Sequence, residues 1–498
     1  MKRIIYIYIA ILTTAVLWDS CSDDYLQTSP TNALGEGLVK SSVSNLDIAL
    51  NGAYRLLYKR IDQQSEGGEG QMGIRRDLLG EDVLNTSSGN AWYQDEQKWV
   101  AHRDPDAPRR TSSYPFRFYY PIILEANLLL QDIDNAEGTD ENLRTSLKGE
   151  SLTIRAWGHF QLVQLYGKRY QHGIDNSQPG VPYQLTPGAE PLPRETVENV
   201  YKQANTDIDN AIELLKTVPA RTITHFSLKS AYAVKARIAL AQQNYAVAAE
   251  YADLAIAQSV KDGAALQSGN QLLSGFSSIA DNSEWIWASQ QNSDQGTSFA
   301  SFFAYMSWNY NSTAIRINPK AINSALYDKI KDTDVRKNWW DPTGTLLGPT
   351  SAYSHPKYQG RKFGLANPAT SNGDVCYIRL AELYLMKAEA LARTGNTDGA
   401  KEALTTLLVT RDPEYTVTAS TADELIEEIL IQRRIELWGE GFRFTDLKRL
   451  DLPLDRNAVP NATVDLCKEM FIPAGDPRWQ WVIPIEEMNA NPLMVQNP

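Results

Sequence analysis

Apolar positions recur every three or four residues along most of this chain. Leu46, Leu50, Tyr54, Leu57 and Tyr58 mark one helix face within Val39–Arg60. Tyr119–Ile133 and Asn142–Tyr166 read as amphipathic helices, the second stopped by Gly167. Thr196 stands where a cap belongs, ahead of a helix running to Leu215. Ser227–Gln242 and Tyr245–Ala257 read as two helices turned back on each other at Gln243-Asn244. Asp374–Thr394 and Thr397–Val409 repeat that arrangement. Thr421-Ala422-Asp423-Glu424 has the capping-box spacing and opens a helix with Leu425, Ile429, Leu430 and Leu437 on its face; Gly439 and Gly441 stop it. The pattern predicts a mainly all-α fold with little β structure.

Two stretches lack this period, about 63–117 and 272–373. Gln63–Gly73 reads as a loop. Its Gly68-Glu69-Gly70-Gln71-Met72-Gly73 matches GxGxxG, but no strand precedes it and no βαβ pattern surrounds it, so it predicts no nucleotide site. Leu84–Arg117 is polar and turn-rich yet carries Trp92, Tyr93 and Trp99. Leu272–Gly373 carries Trp308, Tyr310, Trp339 and Trp340. Long loops in compact proteins are functional or disordered, and this aromatic content speaks against disorder. Trp285 and Trp287 alternate around Ile286, the pattern of a short strand with packing side chains. The tail, Trp479–Pro498, reads as extended and proline-interrupted. The two helix pairs resemble tetratricopeptide repeats in their alanine positions, their turn and their length, but they are not adjacent in sequence.

The N-terminus changes the cellular setting. Lys2 and Arg3 precede an apolar run from Ile4 to Trp18, and Cys21 follows. The run is too short to span a bilayer and reads as a secretory signal over residues 1–20. Cys21 stands where a bacterial lipoprotein carries its lipidated cysteine, although Trp18-Asp19-Ser20 departs from the small residues usual there. Residues 21–38 read as a tether, and 39–498 as a single domain.

Net charge is −12, which argues against nucleic acid and anionic lipid as partners. Cys21, Cys376 and Cys467 are too few for a disulfide framework, and Cys376 and Cys467 read as buried apolar residues. The five histidines, His102, His159, His172, His225 and His355, are scattered, and none pairs with Cys or carboxylate at metal-ligand spacing. His159 sits on an apolar helix and reads as packing. No HExxH, GxSxG or P-loop is present, and no pair of carboxylates is singled out for glycoside hydrolysis. The expectation is a protein that is not an enzyme and has no cofactor and no metal.

Gln432–Leu450, QRRIELWGEGFRFTDLKRL, is dense in mixed charge and aromatics and first suggests a catalytic cluster. Arg433 with Glu436, and Glu436 with Glu440, fall at helical spacings where side chains meet. The carboxylates need cationic neighbours, and Arg443, Lys448 and Arg449 are the nearest in sequence. The stretch reads as a helix, a glycine turn and a return segment pinned by ion pairs.

That stretch, with RAWGHFQLVQLYG (Arg155–Gly167), YIRLAELYLMKAEALARTG (Tyr377–Gly395) and the final IPIEEMNANPLMVQNP, resembles the SusD/RagB family in order and spacing, behind a lipoprotein signal. The resemblance covers essentially the whole mature chain. It implies a fold of tetratricopeptide-like helix pairs with a loop-rich ligand-binding face. It implies a surface-exposed lipoprotein of the outer membrane, anchored through Cys21. It also implies a partner, a SusC-like TonB-dependent transporter over which the protein sits as a lid, and an oligosaccharide or other nutrient bound and handed inward. A peptide ligand, as associated with RagB-like members, and a lid or scaffold role with little binding of its own remain open.

The family's ligand site lies on loops and resembles an aromatic arc, which points to Trp92, Tyr93 and Trp99 in the first loop and Trp308 and Tyr310 in the second, with Trp339 and Trp340 next. Sugar rings present apolar C–H faces that stack on such side chains, removing apolar area from water at about 25 cal/mol per Å2. Asn90, Asn309 and Asn311 flank them and suit sugar hydroxyls or turn geometry equally. For each aromatic the alternative is packing inside the loops. Trp157 and Trp438 lie in helical text and read as core.

Overall fold

The computed structural model describes residues 42–89, 92–106, 111–188, 190–292, 294, 298–346 and 353–498. The signal, the tether, Cys21 and Asn90 lie outside the described residues.

Eleven helices of seven or more residues among those described build the frame: α1 (Val43–Leu56), α2 (Glu69–Leu78), α3 (Tyr114–Asp132), α4 (Glu141–Tyr166), α5 (Val197–Leu215), α6 (Leu228–Ala241), α7 (Tyr245–Lys261), α8 (Leu380–Arg393), α9 (Thr397–Leu408), α10 (Ala422–Glu436) and α11 (Arg443–Arg449). Their ends follow local chemistry. Thr196 accepts from the Asn199 N–H at the start of α5, and Thr421 and Glu424 complete the capping box that opens α10. Neighbours pack in succession, α3 on α4, α4 on α5, α5 on α6, α6 on α7, α7 on α8 and α8 on α9. Thus α6/α7 and α8/α9 are adjacent in space, although the whole Leu272–Gly373 stretch separates them in sequence. Close approach needs small residues: a Cβ on Gly158 of α4 would lie 2.8 Å from Ile123 of α3.

The aperiodic stretches form a second region with little helix. Strands β1 (Val83–Asn85), β3 (Lys320–Ile322), β4 (Trp340–Asp341) and β5 (Gln359–Gly360) make one sheet in the order β1-β3-β5-β4, with Val83 opposite Ile322 and Trp340 opposite Gly360. This sheet ties the first loop stretch to the second. Strand β2 (Trp285–Ser289) pairs antiparallel with β6 (Val375–Arg379), and Leu454–Asp455 pairs with Phe471–Ile472. The region has its own apolar core, in which Tyr93, Tyr305, Tyr310, Trp339, Trp340 and Trp438 meet.

Two readings are corrected here. Gln63–Gly73 is a loop only as far as Gly68; α2 starts at Glu69 and is buried all round, its charged side chains paired or hydrogen-bonded, so its polar text concealed a core helix. Asp374–Thr394 is a strand before it is a helix, because Val375–Arg379 pairs with the Trp285 strand. Cys376 and Cys467 are both free thiols, Cys467 buried and Cys376 half-buried. Among the described residues no helix is long and apolar enough to cross a membrane.

Candidate functional site

The seven sequence-selected aromatics divide by burial. Trp339 and Trp340 are 1% and 0% exposed; the Trp339 indole donates to the Leu272 carbonyl at 2.7 Å, and Trp340 lies edge-on to Trp438 at 5.6 Å. Tyr93 packs edge-on against Tyr305 and donates to Gln71 Oε1 at 2.8 Å. Trp99 joins the helical core, donating to the Leu79 carbonyl at 2.8 Å beside Trp479. These four offer no face to solvent. The reason is physical: a region with little helix or sheet gains its core from large side chains, and Trp and Tyr supply the most apolar area per residue. Tyr93 and Trp99 also have φ of 61° and 58°, a conformation that neighbouring contacts must hold in place.

Trp308 and Trp92 are half-buried, and Tyr310 retains a small exposed edge. Around Trp308 a shelf takes shape. Its backbone N–H donates to the Phe363 carbonyl at 3.0 Å, so the 308 and 363 segments run together. Arg361 lays its guanidinium over the indole at 5.8 Å, with Nε buried and unpartnered among the described residues. Gly364 passes so close that a Cβ there would lie 2.5 Å from Trp308 Nε1. Asn309 is fixed at both ends of its amide, donating to the Leu365 carbonyl at 2.8 Å and accepting from the Leu365 N–H at 3.0 Å. Asn311 is exposed and accepts from Arg316 Nη1 at 3.1 Å. Phe299, 49% exposed, lies 6.1 Å from Tyr310.

The first loop reaches this sector through a buried junction. Asn85 Oδ1 accepts from Lys320 Nζ at 2.7 Å and from Asn318 Nδ2 at 2.9 Å, while Thr86 donates to the Pro319 carbonyl and Ser87 to the Ile317 carbonyl. Burial pushes the Lys320 ammonium down to about 7. Trp92 packs on the apolar core of the same region. The arrangement combines a half-open indole, fixed amides, arginine donors and an exposed phenyl, which suits stacking on an apolar ring face with hydrogen bonds at its edges. Phe299, Arg316 and Arg361 carried no sequence signal of their own; contact with Tyr310, Asn311 and Trp308 respectively in the fold singles them out.

The charged stretch at 432–450 is a different kind of place. Glu436 is fully buried and accepts from Arg336, Arg379 and Arg411 at 2.9, 2.7 and 2.8 Å. Burial opposes its ionisation, yet the three guanidiniums hold its carboxyl well below the usual range. Arg433 and Arg449 grip Asp446 at 2.7 and 2.8 Å, and against the effect of burial they hold its carboxyl at about 2. Arg379 and Lys362 donate to Glu440, and Arg443 pairs with Glu81. Lys448 donates to the Gln164 and Gly167 carbonyls at 2.7 Å each, closing the C-terminus of α4. The expected helix, turn and return are present, with φ of 79° and 89° at Gly439 and Gly441. The cationic partners of Glu436 and Glu440, however, come from distant segments, not from Arg443, Lys448 or Arg449. Gly441 packs on Gly73 of the GxGxxG stretch, where a Cβ would meet Gly73 Cα at 2.5 Å.

His102 and His159 are packing residues. His159 stacks on Tyr183 at 3.6 Å and bonds the Arg155 carbonyl and the Gln184 N–H; burial pushes it and His102 down to about 3. The C-terminal tail is clamped by Arg194, which donates to the Val495 carbonyl and Asn497 Oδ1.

Comparison with known proteins places this architecture. Residues 24–240 match a SusD-like family described as starch-binding associating with outer membrane, and residues 291–498 match the SusD family. A SusD-like carbohydrate binding protein of Bacteroides vulgatus superposes with a TM-score of 0.77 at 23% identity, over 91% of this chain and 97% of that one. A SusD superfamily protein of Bacteroides thetaiotaomicron gives 0.75 at 24%, over 92% and 100%. Surface glycan-binding protein A of Bacteroides fluxus gives 0.70 at 17%, over 92% and 99%. In sequence, a SusD-like protein of Formosa agariphila is 33% identical over 92 residues, a match spanning 17% of this chain and only 18% of that protein. With one family profile matched in each half and the fold shared along nearly its whole length, the chain belongs to the SusD/RagB family.

Proposed function

We propose that this protein captures an oligosaccharide on the shelf around Trp308 and passes it to a SusC-like TonB-dependent transporter, without breaking a bond. The observation that carries the reading is the half-open Trp308 indole, backed by Arg361 and flanked by the doubly bonded Asn309. One face of such a ring stacks on a sugar, and Asn309 holds the shelf in shape through its two bonds to the Leu365 backbone. The family's description as starch-binding and the glycan-binding role of the Bacteroides fluxus neighbour support a carbohydrate ligand. A shallow shelf gives weak capture and ready release, as handover requires. Attachment of the mature chain to the outer membrane through a lipid on Cys21 completes the proposal.

Calorimetry with a glycan panel tests it. We expect at least one oligosaccharide to bind and Trp308→Ala to weaken that binding about tenfold, the effect of losing one stacked ring. Binding of peptides instead of glycans, or of neither while the transporter co-purifies, would overturn the oligosaccharide reading. Cys21→Ala should release the protein from membranes; retention after a salt wash would contradict the anchor.

A further inference from the structure

The two segments that build the shelf differ in charge from the rest of the chain. Net charge is −12, yet neither 295–327 nor 342–373 contains an Asp or a Glu, while together they hold Arg316, Lys320, Lys357, Arg361 and Lys362. Two of these cations are consumed inside the fold: Lys320 Nζ donates to Asn85 Oδ1 and Lys362 Nζ to Glu440. Lys357 is exposed, and Arg316 and Arg361 are half-buried. The carboxylates that border the segments are Asp294, Asp328, Asp341 and Asp374, and none of them pairs with either arginine. Asp341 accepts instead from the Thr343, Gly344 and Leu346 N–H groups, and Asp374 from those of Ile279 and Gln291.

Both arginines belong to the shelf. Arg361 lies over the Trp308 indole at 5.8 Å; its Nε is buried, whereas Nη1 and Nη2 have no partner among the described residues and keep contact with solvent. Arg316 donates to Asn311 Oδ1 at 3.1 Å and to Thr313 Oγ1 at 3.3 Å, two neutral acceptors. In the 432–450 segment, by contrast, Arg433, Arg434, Arg443 and Arg449 each meet a carboxylate. A neutral glycan laid on the shelf would strip water from the Arg361 edge and put no charge in its place, which costs affinity. An acidic glycan replaces that water with a counter-charge, and the planar fork of a guanidinium matches the oxygens of a carboxylate or a sulfate. A positive island on an acidic molecule also draws anions toward it.

We propose that the ligand of the Trp308 shelf is an acidic oligosaccharide, whose uronate carboxylate or sulfate ester pairs with the Nη edge of Arg361 while a sugar ring stacks on Trp308. Arg316 adds a second positive charge through the same 308–311 segment. This inference rests on the reading of the shelf as the capture site and names the class of glycan captured there.

The full mature chain is titrated by calorimetry with oligosaccharides in matched pairs: oligogalacturonate and its methyl ester, a glucuronate-bearing xylan fragment and its carboxyl-reduced form, and a sulfated galactan fragment and its desulfated form, beside neutral glucan and mannan fragments. We expect the tightest ligand to be acidic and its neutral counterpart to bind about tenfold more weakly. Loss on esterification or reduction identifies a carboxylate, and loss on desulfation a sulfate ester. In Arg361→Met the acidic and neutral partners should differ much less, because the cation that tells them apart is gone. Arg316→Met should weaken the acidic ligand by about threefold. Melting temperature shows whether each variant is folded; should Arg361→Met not fold, Arg316→Met and the matched pairs decide. A neutral oligosaccharide as the tightest ligand, weakened by Trp308→Ala, would overturn this inference and leave the shelf reading standing. An acidic ligand that binds as well when neutralised, or that both arginine variants bind as the wild type does, would overturn it too. No oligosaccharide bound, or binding indifferent to Trp308→Ala, would overturn the shelf reading and this inference together.

Discussion

The 432–450 segment and the shelf around Trp308 use the same residue types, arginine beside tryptophan and phenylalanine, to opposite ends. In the first, every cation meets a carboxylate or a carbonyl, and Glu436 is closed off by three arginines. In the second, Arg361 lies over an indole that is only half-buried. Composition is therefore no guide to which cluster meets a ligand. The deciding variable is whether the polar and aromatic surfaces are consumed internally. Charges buried in a closed network contribute to a unique packing, whereas leftover surface is free to bind.

Breaking the closed network should give the largest effect. Glu436→Ala leaves Arg336, Arg379 and Arg411 without their shared carboxylate, and we expect about 3–5 kcal/mol lost in urea denaturation. Trp340→Ala removes a side chain that is 0% exposed and should cost a comparable ~3–5 kcal/mol. In both variants the fraction that remains folded should bind ligand as the wild type does, because neither residue belongs to the shelf.

The next effect depends on pH. Asp446 is held at about 2 in the folded state against an ordinary 3.8. A depressed carboxylate contributes stability that is fully present above pH 3.8 and is lost as pH falls toward 2. The gap corresponds to about 2 kcal/mol. Denaturation of wild type and Asp446→Asn should therefore differ most above pH 4 and converge toward pH 2; a difference constant with pH would show that the ion pairs to Arg433 and Arg449 are not its source.

Lys320 works in the other direction, at the junction of the two loop stretches. Burial lowers its pKa from 10.5 to about 7, so the unfolded chain binds the extra proton between those values. Stability should rise as pH increases from 7 toward 10.5, and Lys320→Met should flatten that rise by an amount on the order of 1 kcal/mol or more. On the shelf itself the smallest change is expected from Phe299→Ala, with stability within about 0.5 kcal/mol of wild type and binding weaker by about threefold, a contact at the rim of the site.

Much of the helical frame was legible in sequence because its elements obey local rules. Thr196 and the Thr421–Glu424 box mark helix starts, and Trp285 and Trp287 alternate as a strand should. Helix α2 was not legible: its period is hidden by Glu69, Arg75, Arg76 and Asp77, which are buried because Arg76 pairs with Glu69 of the same helix, Arg75 pairs with Glu96, and Asp77 accepts from the backbone N–H groups of Gly441 and Arg443. The partners of Glu436 were missed because Arg336, Arg379 and Arg411 lie 25 to 100 residues away. The loop aromatics were visible as a set but could not be sorted. Trp339 and Trp308 occupy similar polar text, and only the fold determines that one bonds Leu272 inside while the other stays half-buried. The arginine over Trp308 comes from a segment more than fifty residues on, which no local pattern could have supplied.

The central claim is that ligand is captured at the open cluster and not at the closed one. Calorimetric titration of wild type and Trp308→Ala with the best-binding oligosaccharide of the panel, alongside their melting temperatures, addresses it directly. The account predicts about a tenfold loss of affinity with little change in melting temperature. Equal affinity in the two proteins would contradict it.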